Sequence, residues 1–310
     1  MIRRPPRSTQ GVSSAASDVY KRQLHSFPTA FAANLPNCTL RGVRITVPAS
    51  SANLGPGFDC LAVAIDLPFH LDVGEPRQDS IKLEETHPAV TAFRSAGGSG
   101  LVYGQTKIPP GKGLGFSGAA RVAGLAAASL QNSGAIRFPD LLAASGRLEG
   151  HFDNAAASIY GAVTATHIDT VVRIKCPQEL DLVLWIPIQK TSTTASRGSL
   201  PKTVPFDTVA SSIGRSSVMT AAIATSNFEA MRQSCFDDFH QPVRLAKVPE
   251  SAAAIERALD AGACAAWLSG SGPTVAAFVE SHAAQQTMQA LPDSGHTKLL
   301  KVSQYGVQVS

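Results

Sequence analysis

Pro109-Pro110-Gly111-Lys112-Gly113-Leu114-Gly115-Phe116-Ser117-Gly118-Ala119-Ala120 is a glycine-rich loop that runs straight into a helix. Gly111, Gly113 and Gly115 alternate, so the backbone can turn tightly and approach a ligand with no Cβ in the way. Ser117 stands where the helix begins and offers a hydroxyl. Residues 119–130 read as an alanine-rich helix interrupted by Gly124. Free N–H groups and the positive dipole end of such a helix point the same way, which suits a phosphate. The stretch is not G-x-x-x-x-G-K-[ST], because no Lys-Ser/Thr follows the last glycine. Nor is it the G-x-G-x-x-G of dinucleotide folds, since the acidic residue that the ribose needs is missing downstream. Taken alone it is equally a glycine turn before a helix, and its neighbours must decide.

Working outward, residues 101–108 read as the strand that delivers the chain to the loop, and residues 88–96 as a short helix before it. Upstream, residues 44–48 alternate like a strand and lead into the polar loop Ser50-Ser51-Ala52-Asn53-Leu54-Gly55-Pro56-Gly57-Phe58-Asp59. Strands are expected over 61–67, 69–73 and 81–83. Downstream come a helix over 139–148 and the stretch Leu148-Glu149-Gly150-His151-Phe152-Asp153-Asn154-Ala155-Ala156-Ala157-Ser158. A hairpin follows over 162–174, then a buried strand over 180–188 and a polar loop over 191–197. Helix is expected over 207–231, a loop over 239–244 and a helix over 251–261. The unit Ser269-Gly270-Ser271-Gly272-Pro273-Thr274 reads as a glycine turn between strands, and a helix over 283–290 and a strand over 298–309 close the chain. Strands and helices in this alternation imply two α+β layers.

The chain has 310 residues, 44% of them hydrophobic and 16% charged, enough for a packed core. No run of 18 apolar residues is present, which argues against a membrane span. Cys38, Cys60, Cys176, Cys235 and Cys264 form no C-x-x-C pair, so neither a zinc site nor a disulfide framework is indicated, and a reducing cytoplasm is expected. The net charge of +4 comes from residues 1–23, where Arg3, Arg4, Arg7, Lys21 and Arg22 face Asp18 alone; the rest is neutral, which argues against nucleic acid. Residues 1–23 read as a transit peptide or, by preference, resemble an adapter-derived leader; residues 24–42 read as a poorly ordered lead-in.

SSANLGPGFD, PPGKGLGFSGAA and SGSGPT, in this order and spacing, resemble the three motifs of the GHMP kinases over about residues 43–310. Within that superfamily the chain is similar to the homoserine kinase family. LEGHFDNAAAS, Ser192-Thr193-Thr194-Ala195-Ser196-Arg197 and His240-Gln241-Pro242-Val243-Arg244 look like that family's E-G-H-P-D-N-V-A-P-A, S-T-x-x-A-R and H-Q-P-Y-R. The resemblance implies an α+β fold in two parts: an amino-terminal half like ribosomal protein S5 domain 2 (43–177) and a ferredoxin-like half (178–310). It also implies ATP and Mg²⁺ as cofactors and L-homoserine as substrate. A homodimer is left open. The rivals are another GHMP small-molecule kinase and a catalytically impaired binding paralogue.

The same resemblance implies roles. Pro109, Pro110, Gly111, Lys112, Gly113, Leu114, Gly115, Phe116, Ser117, Gly118 and Ala119 would hold the triphosphate, and Ser117 and Glu149 the metal, since Mg²⁺ takes few protein oxygens. Arg197 and Arg244 would take the substrate carboxylate, because a guanidinium fork suits two oxygens. Asp59 would hold the ammonium or hydroxyl end, and Asn53, His151 and Asn154 would supply directional hydrogen bonds. Thr193 would sit near the transferred phosphoryl. The plainer readings are a turn-forming Asn53, a core His151, a solvated Arg244 and a helix-end Glu149. His151 and Asp59 are the candidates for a general base, but a reaction without one is equally implied. Phe116 stands where the family has a second serine. Restoring that hydroxyl is expected to leave stability nearly intact; the competing view is a Phe116 packed into an apolar pocket.

Overall fold

The computed structural model describes residues 30–32, 40, 42–189 and 193–310. The leader over 1–23, Cys38 and Ser192 lie outside them. Within the expected lead-in, β1 (Ala30–Ala32) pairs with β6 (Ala135–Arg137), so that short piece is strand rather than irregular chain.

The larger sheet is antiparallel and is organised around β2 (Arg44–Asn53) and β3 (Gly57–Val73). Where two strands and a loop were expected, β3 is one 17-residue strand that bends past Pro68, at a register shift between Pro48 and Ala49. Its lower half pairs with β5 (Val102–Thr106), which carries β4 (Ile81–Lys82) at the edge; its upper half pairs with β7 (Val163–His167), followed by β8 (Thr170–Ile174). Ile45, Val47, Ala49, Leu61, Val63 and Ile65 are all buried. One face is covered by α1 (Pro88–Ser95), α2 (Phe116–Ser133), α3 (Phe138–Glu149) and α4 (Asp153–Tyr160). The alanines of α2 allow close approach: a Cβ on Gly124 would stand 2.1 Å from the Ala89 carbonyl, so α1 and α2 touch backbone to backbone.

The second sheet has the order β10 (Ala265–Leu268), β11 (Val275–Glu280), β9 (Leu180–Pro187), β12 (Gly295–Leu300), all antiparallel. Helix α9 (Pro249–Asp260) precedes β10, and α10 (Ala284–Ala290) joins β11 to β12. That is the split βαβ connectivity of a ferredoxin-like layer. Every residue of β9 is buried, as a continuous apolar run requires.

Four local expectations change. Residues 193–198 form α5 (Thr193–Gly198) instead of a loop. The expected long helix is two, α6 (Phe206–Thr225) and α7 (Phe228–Ser234), because Ser226 turns left-handed and the Asn227 side chain caps the second. The H-Q-P stretch is helical as α8 (Gln241–Leu245), with Pro242 in the first turn where its missing N–H is harmless. The final strand is split: β12 stays in the second sheet, while β13 (Gln308–Val309) crosses back to pair with β2.

Candidate active site

The glycine loop lies between the two sheets. A Cβ on Gly113 would stand 2.2 Å from the Ser269 carbonyl oxygen, and one on Gly115 2.2 Å from Ser50 Oγ, with φ of +74° and +66°. Only glycine fits at either point. The SGSGPT turn packs beneath the other two motifs, as expected. Ser269 Oγ lies 2.7 Å from Ser51 Oγ and 2.6 Å from the Gly113 carbonyl, Trp267 Nε1 donates to Ser51 Oγ, and Gly270 N donates to the Ala52 carbonyl. From this platform α2 starts with Gly115 as a left-handed cap and no side-chain cap bond. Its first amides are left without intrahelical partners, facing the loop.

One cavity brings together every residue singled out from the sequence except Pro110, Ala119 and Thr193. Ala119 is buried inside α2. Pro110 lines an adjoining cavity. The Thr193 side chain lies outside the described residues. Lys112 is 8% exposed, and its ammonium donates to the carbonyls of Pro187, Ile188 and Gln189 at the end of β9, so it ties the loop to the second sheet.

At the corner between α3 and α4, Glu149 is the last residue of α3 and pairs with Arg121 of α2. Its other oxygen is 3.8 Å from His151 Nε2. Asp153, 2% exposed, accepts from its neighbour Asn154 N at 2.7 Å and sits 2.8 Å from His151 Nδ1. Burial pulls the His151 imidazole down, but the Asp153 hydrogen bond and the charges of Asp153, Glu149 and Asp59 outweigh it, and the pKa is raised. His151 thus holds its proton more tightly than a free imidazole does, with Nδ1 placed against the Asp153 carboxylate. Asn154 Oδ1 accepts from the buried Ser50 Oγ at 2.9 Å. Phe152, in place of the family's proline, packs its ring over Gly146, where a Cβ would stand 2.0 Å away.

Across the cavity Asp59 and Arg197 form a two-pronged ion pair of 2.8 and 2.6 Å. The hydrogen bond to Asp59 raises the Arg197 pKa further, against burial. Arg244 differs: it is 6% exposed, and among the described residues its guanidinium hydrogen-bonds to neutral acceptors only, the Gly270 carbonyl at 3.0 Å and His240 Nδ1 at 3.2 Å. Its Nε is buried and has no partner among the described residues. Burial and the Arg197 charge pull its pKa down. His240 must accept at Nδ1, so Nε2 donates to the Gly55 carbonyl at 2.8 Å and the ring is neutral, consistent with a pKa lowered by burial. Asn53, in a left-handed turn, donates to the Gly270 carbonyl and accepts from Asp59 N; both amide ends shape the turn, as the plainer reading had it, while the residue lines the cavity.

Phe116 packs its ring edge-on to Phe69 at 6.2 Å and to His87 at 5.7 Å. It is a wall shared by the two cavities. This packing favours the competing view, a Phe116 held in an apolar pocket, over the expectation that its truncation would leave stability nearly intact.

Residues 85–162 match the GHMP kinases N terminal domain and residues 219–297 the GHMP kinases C terminal. The chain is 34% identical to the homoserine kinase of Thermus thermophilus over 264 residues, covering 80% of this chain and 90% of that protein. It is 34% identical to that of Desulfitobacterium hafniense over 278 residues, covering 81% and 92%. The chain belongs to the homoserine kinase family. Membership of a kinase family brings ATP with it as phosphoryl donor. The crystal structure of homoserine kinase from Cytophaga hutchinsonii has the same fold, with a TM-score of 0.75 at 24% identity over 89% of this chain and all of that one.

Arg121, Asp153, Ser50 and Phe58 were not singled out from the sequence as parts of this site. Asp153 stood inside a quoted motif and only its burial reveals its use. Arg121 carried one signal, a helix position one turn beyond Ser117. Ser50 and Phe58 needed the strand register.

Proposed function

We propose that this chain phosphorylates L-homoserine with ATP, giving O-phospho-L-homoserine and ADP, a step towards threonine. The observation that carries the reading is Arg244: a buried cation whose Nε has no partner among the described residues, on the same cavity as an acid–base pair and a glycine loop. A buried cation without a counter-ion is costly, and a substrate carboxylate relieves that cost. Arg197 would share the carboxylate and Asp59 the ammonium. Asn154 and His151 would direct the hydroxyl end. The loop and the start of α2 would hold the triphosphate. The base of ATP would lie in the adjoining cavity, lined by Ile81, Leu83, Ile108 and the ring of Phe116.

Ser117 and Glu149 would hold Mg²⁺. Both line the main cavity, and one hydroxyl plus one carboxylate, completed by phosphate oxygens and water, is a donor set that suits the ion. When bound, it would neutralise charge on the phosphate oxygens. Arg121 would keep the Glu149 carboxylate aimed. Phosphoryl transfer depends on positioning and charge neutralisation more than on covalent help. Asp59 is held by Arg197, Asp153 by His151 and the Asn154 amide, so the reading assigns no dedicated base.

Two wider assignments belong to the same reading. The halves 43–177 and 178–310 divide between β8 and β9, which lie in different sheets, with the last residues returning to the first half. The cytoplasm is the proposed location; free thiols at Cys60, Cys176, Cys235 and Cys264 support it, and among the described residues no helix is long and apolar enough to cross a membrane. The test is ADP release with L-homoserine, mevalonate and galactose. Homoserine should give the highest kcat/KM; good turnover of mevalonate or galactose without homoserine would overturn the reading.

A further inference from the structure

We propose that Phe58 is the positioning residue of the substrate end, its ring holding Arg197 and Arg244 in place while Asp59 changes partner from Arg197 to the ammonium of a zwitterionic amino acid. The proposal rests on the carboxylate reading given above. Both guanidinium carbons lie 5.3 Å from the Phe58 ring centroid, within the range of cation–π attraction. Two cations gathered on one ring repel each other, and the Arg197 charge does pull Arg244 down. Among the described residues Asp59 pairs directly with Arg197 and not with Arg244; the charges of Asp59, Asp237 and Asp153 reach Arg244 only through space, so the negative face of the Phe58 ring is what its guanidinium touches besides neutral acceptors.

The ring is itself fixed. Phe239 meets it edge-on at 5.1 Å and 87°, and His240 lies at 5.0 Å, tilted by 36°. Phe58 and Asp59 are consecutive, and Asp59 has φ of +57°, so one turn delivers both the ring and the carboxylate to the same two arginines. The consequence is an exchange of partners. In the free site Arg197 is occupied by Asp59. A zwitterion entering there offers its carboxylate to the arginines and its ammonium to Asp59, so one ion pair is replaced by two and no charge is left alone. Arg197 has its bonds to Asp59 opened during that exchange, and its contact with the ring persists through it. A neutral alcohol or a simple carboxylate cannot complete the exchange, because it leaves Asp59 or the arginines unmatched. The side chain that makes the site selective for an amino acid is therefore an apolar one.

The test replaces Phe58 in the full chain by mono-, di- and trifluorophenylalanine, which keep the ring's size and packing while draining its negative face. The KM for L-homoserine should rise step by step, reaching roughly three- to tenfold with three fluorines, as the weakening of one buried and one partly exposed cation–π contact implies. The KM for ATP should stay within about twofold. Aminopropanol, which is homoserine without its carboxylate, should be indifferent to the series. A homoserine KM that stays flat, or that rises in step with that for ATP, overturns the proposal. Arg244→Ala measured alongside separates the two levels. If it raises the homoserine KM and fluorination does not, Phe58 alone loses its role; if it leaves that KM unchanged, the carboxylate reading falls and this proposal with it.

Discussion

The two ends of the cavity are built from different materials. The proposed phosphate end is backbone: one continuous stretch, 109–119, whose glycines admit the chain where no side chain fits. The proposed substrate end is side chains drawn from distant stretches, with Asp59 on β3, the α3–α4 corner at 151–154, Arg197 on α5 and Arg244 on α8. Its parts are held by charge and by rings. The first kind of site fails through shape, abruptly, and at any added atom. The second fails through charge, gradually, and according to how deeply each group is buried.

The largest expected effect is therefore at a glycine. Gly113→Val places a branched side chain where a first carbon already stands 2.2 Å from the Ser269 carbonyl oxygen and 2.9 Å from that of Gly272, at a φ of +74°. Backbone strain and overpacking together should cost about 3–5 kcal/mol. Denaturant unfolding should show it as a large fall in midpoint, with ATP turnover lost. A variant of near-native stability that binds ATP would show that the loop can part from the SGSGPT turn, and the contrast between the two ends would weaken.

Phe116→Ser comes next and tests the boundary of the phosphate end. The ring is partly buried against Phe69 and His87, so its removal should cost somewhat less than a full core truncation, about 2–3 kcal/mol. A serine there could still cap an amide of α2, so kcat measured well below the melting temperature should fall less than stability does. An unchanged melting temperature would return Phe116 to the role first expected of it.

At the other end, Arg244→Ala should raise the KM for homoserine about ten- to a hundredfold, the scale of a lost charge-assisted contact of about 1.5–3 kcal/mol. Arg197→Ala should raise it less, about two- to fivefold, because that side chain is 42% exposed and solvent screens its pair with Asp59. The KM for ATP should hardly move in either. Equal effects of the two arginines would mean that burial does not grade this end; equal losses for ATP would move both residues to the phosphates.

The same contrast governs what could be read from the sequence. The glycine loop and its helix were legible because their signal is local: alternating glycines, a hydroxyl and an alanine helix in twelve residues; their use for phosphate came from the family resemblance. The strands β9, β10 and β11 were legible as apolar runs and a glycine turn, while their place in a ferredoxin-like layer also came from the resemblance. The substrate arginines became legible only through family resemblance, since a lone Arg244 is as well read as a solvated residue. Phe58 was invisible, because ring-to-guanidinium contacts join residues 58, 197 and 244 across both sheets. The bend that makes β3 one strand depends on pairing with two different neighbours, which periodicity along a single strand does not encode.

The smallest expected effect lies where the two ends meet, at His151, and it appears only as a pH dependence. Its native pKa is raised above 6.5 because the Asp153 hydrogen bond and nearby carboxylates outweigh burial. A group with a raised native pKa binds its proton more tightly in the folded chain than in the unfolded one. Its contribution to stability is thus fully present below the unfolded value and is lost as pH rises through the native value. The wild type should exceed His151→Gln in stability by its largest margin in mild acid, and the margin should shrink as pH rises above 6.5 towards and through the raised value. Asp153→Asn should lower the His151 titration midpoint, read from the imidazole proton signals, because it removes the leading stabiliser of the imidazolium. A stability margin that stays flat with pH, together with an unmoved midpoint in Asp153→Asn, would make His151 a neutral packing residue. The hydroxyl end of the substrate would then lose His151, and the substrate end would rest on Asp59, Arg197 and Arg244 alone.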